Sequence, residues 1–164
     1  MKIPDLERLS YLALLAMSDG VIITDKKGQI SFMNRYAEQL TGWNFEQAVH
    51  QPINHVFHAA MEGNHTRFSL PLAESFETIY LPEYLILTKK DASSKVYVSG
   101  KISMFADANN LISGFVLVFY DVSHHRKKEE KLTYYTFHDD LTGLYNRAFF
   151  ETEMKRLNSS RMLP

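Results

Sequence analysis

The chain has 164 residues, 45% of them hydrophobic and 23% charged. That suits one domain with a proper core, or one domain plus a fragment, and excludes both a disordered chain and two domains of ordinary size. The formal net charge of -1 offers no bulk basic surface for nucleic acid, and the absence of cysteine excludes disulfides, thiolate metal sites, cysteine nucleophiles and any chromophore bonded to a cysteine.

In chain order, Leu6, Leu9, Ala13 and Ala16 recur at helical spacing, with Leu12 and Leu15 widening the stripe. They predict a helix over Asp5 to Met17 with Asp5 as its N-cap. Tyr11 to Met17 resembles a signal-peptide core, but Asp5 and Glu7 stand where a positive flank belongs. Asp19-Gly20 breaks the helix, and the β-branched run Gly20 to Asp25, the turn Lys26-Lys27-Gly28 and the run Gln29 to Met33 read as a β-hairpin. Asn34 to Leu40 reads as a short helix capped by Asn34 and stopped by Gly42. Short helical pieces follow from Phe45 to Phe57, broken by Pro52; Met61 to Phe68 reads as loop, and Pro71 opens a further helix to about Tyr80.

From Pro82 the period changes to that of strands. Glu83 to Lys89 is one, and Val96, Val98, Ile102 and Met104 share a parity that gives the next strand one buried face. Leu111 to Tyr120 is apolar on both parities, which predicts a central strand covered on both faces, with the N-terminal helix as the cover. No apolar run approaches the roughly 20 residues of a membrane helix. A hairpin, three later strands and small helices between them make an α+β fold. The hairpin must join the other strands, or its edges would stay open.

After Ser123 the chain turns polar. His124 to Lys131 is almost wholly charged or His, with Arg126, Lys127 and Lys128 at the positive end of the helix dipole. Such a helix is expected to lean on a partner. Leu132, Tyr135 and Phe137 offer apolar surface for it, over too short a stretch to define a coiled coil.

Asn34-Arg-Tyr-Ala37 followed by Thr41-Gly42-Trp43, preceded by Asp25, Gly28 and Ile30 and followed by Gly114 and Asp121-Val122-Ser123, resembles the signature of PAS domains over about residues 12 to 123. The resemblance implies a five-stranded antiparallel sheet with small helices on one face enclosing a pocket, an N-terminal flanking helix and a C-terminal linker helix. Asp139-Asp-Leu-Thr-Gly-Leu-Tyr-Asn-Arg147 resembles the opening of GGDEF (diguanylate cyclase) domains, and Phe149 to Leu157 looks like that domain's first helix. This second resemblance implies that Asp139 and Arg147 pair to hold the turn, as charge-assisted Arg–carboxylate contacts do. The Gly-Gly-Asp/Glu-Glu-Phe motif itself does not occur. The expected organisation is a flanking helix over 1–19, a PAS domain over 20–123, a signalling linker over 124–137 and a truncated GGDEF start over 138–164. The chain is expected to be non-catalytic itself and cut from a longer protein.

The candidate ligand-pocket residues are Ile30, Phe32, Val98 and Ile102, chosen for the apolar parity of their strands, and Trp43, which either walls a flavin or fills an aromatic core slot. An occupied pocket and a packed, ligand-free core both fit that pattern. Haem is disfavoured, since the resemblance implies a ligating His on the helix before the third strand and Pro71 to Tyr80 contains none. His55 and His58 are three apart, near His50 and His65, but no cysteine or suitably spaced acid completes a metal site, so they read as partly exposed polar positions. His124-His125 reads as exposed, and no nucleophile, P-loop or dinucleotide motif is present. Asp121 and Ser123, at the junction of sheet and helix, serve as relay or cap.

Together these imply a cytoplasmic PAS module that regulates an attached diguanylate cyclase. A homodimer through the first helix is expected, because two cyclase domains must meet to condense two GTP molecules. The alternatives are a ligand-free dimerisation or interaction module, and a flavin-binding redox sensor.

Overall fold

The structure is a computed structural model that describes residues 3–72, 78–109, 111–139 and 141–160. It divides into two compact units, one running to Ser123 and the other from His124.

The first unit begins with α1 (Ile3–Ala16), followed by the hairpin β1 (Gly20–Asp25) and β2 (Ile30–Met33). Helix α1 starts before Asp5, so Asp5 lies in its first turn and is not the N-cap; Pro4 fits there because a first-turn N–H has no helical partner to lose. The hairpin turn is closed by Asp25, whose Oδ1 accepts from the N–H groups of Lys27 and Gln29 at 2.8 and 2.9 Å. Gly28 supplies the left-handed φ of 77° that this turn requires.

Three short helices follow: α2 (Arg35–Thr41), α3 (Phe45–Ala48) and α4 (Ile53–Val56). Helix α2 is capped by Asn34 and ends on Gly42 at φ 72°, whose N–H bonds Glu38 O. Then come β3 (Ala59–Ala60), β4 (Arg67–Phe68), β5 (Ile79–Tyr80), β6 (Leu85–Thr88), β7 (Lys95–Ala106) and β8 (Ile112–Asp121). The sheet is antiparallel with spatial order β2-β1-β8-β7-β6-β3-β4, and β5 pairs with β7. The five longer strands give the expected five-stranded sheet; β3, β4 and β5 are two-residue extensions.

Two expectations change here. Pro71 and Leu72 are not helical and Ile79–Tyr80 is a strand; the rest of the expected helix, 73–77, lies outside the described residues. The reason is that β6 pairs only with Lys95 to Val98, so the edge of β7 beyond it recruits Ile79 and Tyr80 opposite Ile102 and Lys101. Within the expected loop over Met61 to Phe68, Arg67 and Phe68 pair with Ala60 and Ala59.

The core lies between the sheet and α2–α4. Ile22, Leu117 and Ile102 stand side by side across β1, β8 and β7, and α2–α4 answer with Ala37, Leu40, Ala48, Ile53 and Val56. Each large side chain fully buried there contributes about 1.5–3 kcal/mol. Strand β8 is central, between β1 and β7, but its other face is only partly covered: Val116 and Val118 are half-buried. Helix α1 does not provide the expected cover. It reaches β2, where Tyr11 meets Phe32 edge-on at 5.9 Å, and leaves Leu9, Tyr11, Leu12 and Leu15 exposed.

The second unit contains most of α5 (Ser123–Phe137) and all of α6 (Arg147–Ser160), joined by a turn whose ends meet in a bridge between His138 and Tyr145. Rings join them: Tyr134 stacks on His138 at 3.9 Å, His138 meets Tyr145 at 4.5 Å, and Tyr145 stacks on Phe149 at 3.9 Å. On α5, His125–Glu129 and Arg126–Glu130 are i,i+4 pairs on a solvated helix surface, of the kind worth little in water. No helix among the described residues is long and apolar enough to cross a membrane.

Candidate functional site

The sheet-lined interior is built around Asn34. Its side chain is fully buried, with Oδ1 accepting from the N–H groups of Val21 and Ala37 at 2.9 Å each. Its Nδ2 donates to Asp19 O at 2.8 Å and Leu14 O at 3.1 Å. One amide therefore joins the end of α1, the start of β1 and the first turn of α2. Capping was legible in the sequence; the link back to Leu14 and Asp19 was not, because it spans up to 20 positions.

Ile30, Val98 and Ile102 are all buried in the one core cluster on the inner face. Phe32 is not with them. The β1–β2 register runs Ile23 to Phe32 and then Thr24 to Ile30, leaving Ser31 as a bulge. A bulge inverts the alternation beyond it, so Ile30 and Met33 are buried while Phe32 is half-buried against Tyr11 of α1. Phe32 is removed from the pocket wall for that reason, and Met33 takes its place in the core. Trp43 packs against the rim of the core, with its ring edge-to-face with His55 at 5.3 Å and under Lys90 Nζ at 4.0 Å. No group of three or more His, Asp or Glu able to hold a metal occurs among the described residues.

At the exit from the sheet, the side chains of Asp121 and Ser123 bond in opposite directions along the chain. Asp121 Oδ1 accepts from the Ser123 N–H at 2.7 Å and so satisfies one of the first-turn donors of α5. The Ser123 hydroxyl turns back and accepts from the Tyr97 N–H of β7 at 3.1 Å, while the Val122 N–H donates to Tyr97 O at 2.8 Å. The β7–β8 ladder is thus continued one rung beyond the strand by a side chain, and the first residue of α5 is tied to the sheet.

The turn before α6 is held differently from expectation. Asp139 and Arg147 do not pair. Asp139 Oδ1 accepts from the N–H groups of Leu141 and Thr142 and from the Thr142 hydroxyl, at 3.2, 3.0 and 2.8 Å. Arg147 Nε bonds Glu151 at 2.8 Å on the same helix. Local donors within three residues satisfy the carboxylate without ordering a long side chain. The Thr142 hydroxyl, followed by the Thr142 N–H, holds the Asp139 carboxyl below the ordinary aspartate value of 3.8. A carboxyl depressed on folding stabilises its turn above the unfolded value and loses that stabilisation as pH falls through the folded one. The Leu141 and Thr142 amides are therefore expected to lose hydrogen-exchange protection as pH drops below about 4. By carboxyl-detected NMR, Thr142→Val should move the Asp139 titration upward; an unmoved titration would show that the hydroxyl is not its main partner.

Against known proteins, the sequence profile of the PAS fold matches residues 11–122. The chain belongs to the PAS family. It is 31% identical over 152 residues to a probable diguanylate cyclase, DgcE, of Escherichia coli K12, an alignment covering 92% of this chain and 14% of that protein. Among solved structures it is similar to a PAS domain from Colwellia psychrerythraea, with TM-score 0.55, 19% identity and coverage of 73% of this chain and 99% of that one. It is also similar to the PAS domain of Bordetella pertussis BvgS, with TM-score 0.52, 12% identity and coverage of 79% and 95%. At these identities the structural likenesses speak for the fold.

Proposed function

We propose that this chain is the sensory, non-catalytic PAS module of a cytoplasmic diguanylate cyclase-type signalling protein. In this reading it passes a signal through α5 to an output domain that begins near Asp139. The observation that carries the reading is the extent of the DgcE alignment. The PAS profile ends at 122, whereas an alignment over 92% of the chain must continue through α5 and the Asp139-to-Arg147 turn. The likeness is therefore to a PAS domain together with the segment on its C-terminal side. The domain boundaries proposed are 20–123 for the PAS domain, 124–137 for the linker and 138–164 for the start of the output domain.

The relay proposed is the Asp121–Ser123 clamp. A change in the sheet that displaces Tyr97 pulls on the Ser123 hydroxyl, and the first turn of α5 moves or lets go. Ile30, Val98, Ile102 and Trp43 remain the residues from which a ligand inside the fold would be felt. The exposed apolar residues of α1, with half-buried Val116 and Val118 on the outer face of the sheet, support a homodimer.

In the parent protein, Ser123→Ala is expected to abolish most of the regulated difference in cyclic di-GMP synthesis. The PAS domain should remain folded, because one net hydrogen bond is worth only about 1 kcal/mol. Unchanged regulation would remove the clamp from the mechanism. A parent that makes no cyclic di-GMP in any state would remove the cyclase reading.

A further inference from the structure

A surface cleft of about 260 Å³ lies away from the sheet-lined interior, walled by Trp43, His55, His58, Arg67, Lys89 and Lys90. These residues come from the segment after α2, from α4 and its exit, from β4 and from the segment just after β6, and only the fold brings them together.

Two of the cations are held in place. Arg67 Nη2 donates to Asn54 O at 3.0 Å, one of the five N–H donors that a guanidinium carries. Lys90 Nζ sits 4.0 Å over the Trp43 ring and donates to Gln47 Oε1 at 2.6 Å. The lysine backbone is fixed as well, since the Lys90 N–H bonds Thr41 O at 2.9 Å and the Lys89 N–H bonds Ser94 O at 3.2 Å. No acidic side chain lines the cleft. The carboxylate next in sequence, Asp91, is engaged with the Ser93 N–H at 3.0 Å in its own turn.

Three cations and two imidazoles converging on a concave surface with no lining carboxylate make a focused positive potential. Holding Lys90 against Trp43 and Gln47 removes part of the entropy that a flexible lysine would otherwise lose on binding. The Trp43 face is already occupied by Lys90, so the cleft does not offer an open stacking platform for a base. Its volume falls just below the range typical of whole small-molecule pockets, which suits the phosphoryl end of a ligand.

We propose that this cleft binds a diphosphate-bearing small molecule, with Arg67 as the planar, forked donor and Lys89 and Lys90 as point charges.

Trp43 is the chain's single tryptophan, so its fluorescence reports on the cleft directly. Sodium pyrophosphate titrated into the full chain at a constant ionic strength of about 0.15 M is expected to give a saturable emission change, half-complete below about 1 mM. Arg67→Ala should raise that midpoint about tenfold, the usual scale for one charge-assisted hydrogen bond. Lys90→Gln, read by calorimetry because it alters the Trp43 environment itself, should do the same. Lys26→Gln, in the β1–β2 turn, should change nothing. Three results overturn the proposal: a response linear in pyrophosphate, a midpoint indifferent to Arg67→Ala, or saturable binding of an acidic peptide with none of pyrophosphate.

Discussion

Replacing Asn34 by alanine is expected to lower the unfolding free energy by about 3–4 kcal/mol, read as a reduced urea midpoint at unchanged m-value. The N-cap alone accounts for about 1 kcal/mol of that. The rest comes from the partners left behind: the Val21 N–H and the carbonyls of Asp19 and Leu14 lose their bonds to this side chain at a buried or part-buried site. A buried polar group without a partner costs about 1–3 kcal/mol. Asn34→Asp is the sharper test. It keeps an acceptor for Val21 and Ala37 but turns oxygen toward two carbonyl oxygens, so it should be no more stable than the alanine variant. If Asn34→Asp were near neutral, the link to Leu14 and Asp19 would not be contributing.

The second large effect lies at Phe119, which is fully buried. Its cross-strand neighbours are Gly20 on β1 and Gly100 on β7. A Cβ on Gly20 would sit 2.7 Å from the Phe119 ring, so Gly20 makes the room that the ring fills, while a Cβ on Gly100 would meet the Val118 carbonyl and the Phe119 backbone; Phe57 meets the ring edge-on at 5.0 Å. Phe119→Ala should therefore cost about 3–5 kcal/mol, since Gly20 has no side chain with which to close the void. The pairing predicts a sign reversal. Gly20→Ala is destabilising in the native protein, where the new methyl meets the ring, but neutral or stabilising beside Phe119→Ala. A double-mutant cycle by chemical denaturation measures the coupling directly. Additive effects at the two sites would mean that ring and glycine do not share that space.

Much of the site was readable from local pattern. Asn34, Gly42, Gly28 and Asp25 act within a few residues of themselves, through a cap, a left-handed stop and a turn closed by a carboxylate. Asp121 and Ser123 were legible as a junction, but which of them satisfies the start of α5 was not, because Ser123 spends its hydroxyl on Tyr97, 26 residues earlier. The Asp139–Arg147 pair suggested by the motif gives way to nearer partners on both sides. Phe32 fails as a pocket residue through one inserted residue, Ser31, whose bulge leaves no trace in the apolar pattern.

The amino-acid order alone sufficed for the α+β class, the hairpin, the centrality of β8, the junction at Ser123 and the PAS signature, since each is written in periodicity or in residues adjacent along the chain. The folded chain was needed to show that Asn34 joins three elements, that β7 recruits Ile79 and Tyr80 to its free edge, and that α1 leaves its apolar face open. Folding also gathered Trp43, Arg67 and Lys90 into one cleft. The cause is the same in each case. These features depend on which distant group satisfies a buried donor, an open strand edge or a charge, and that choice is made by competition among all the partners the folded chain brings within reach.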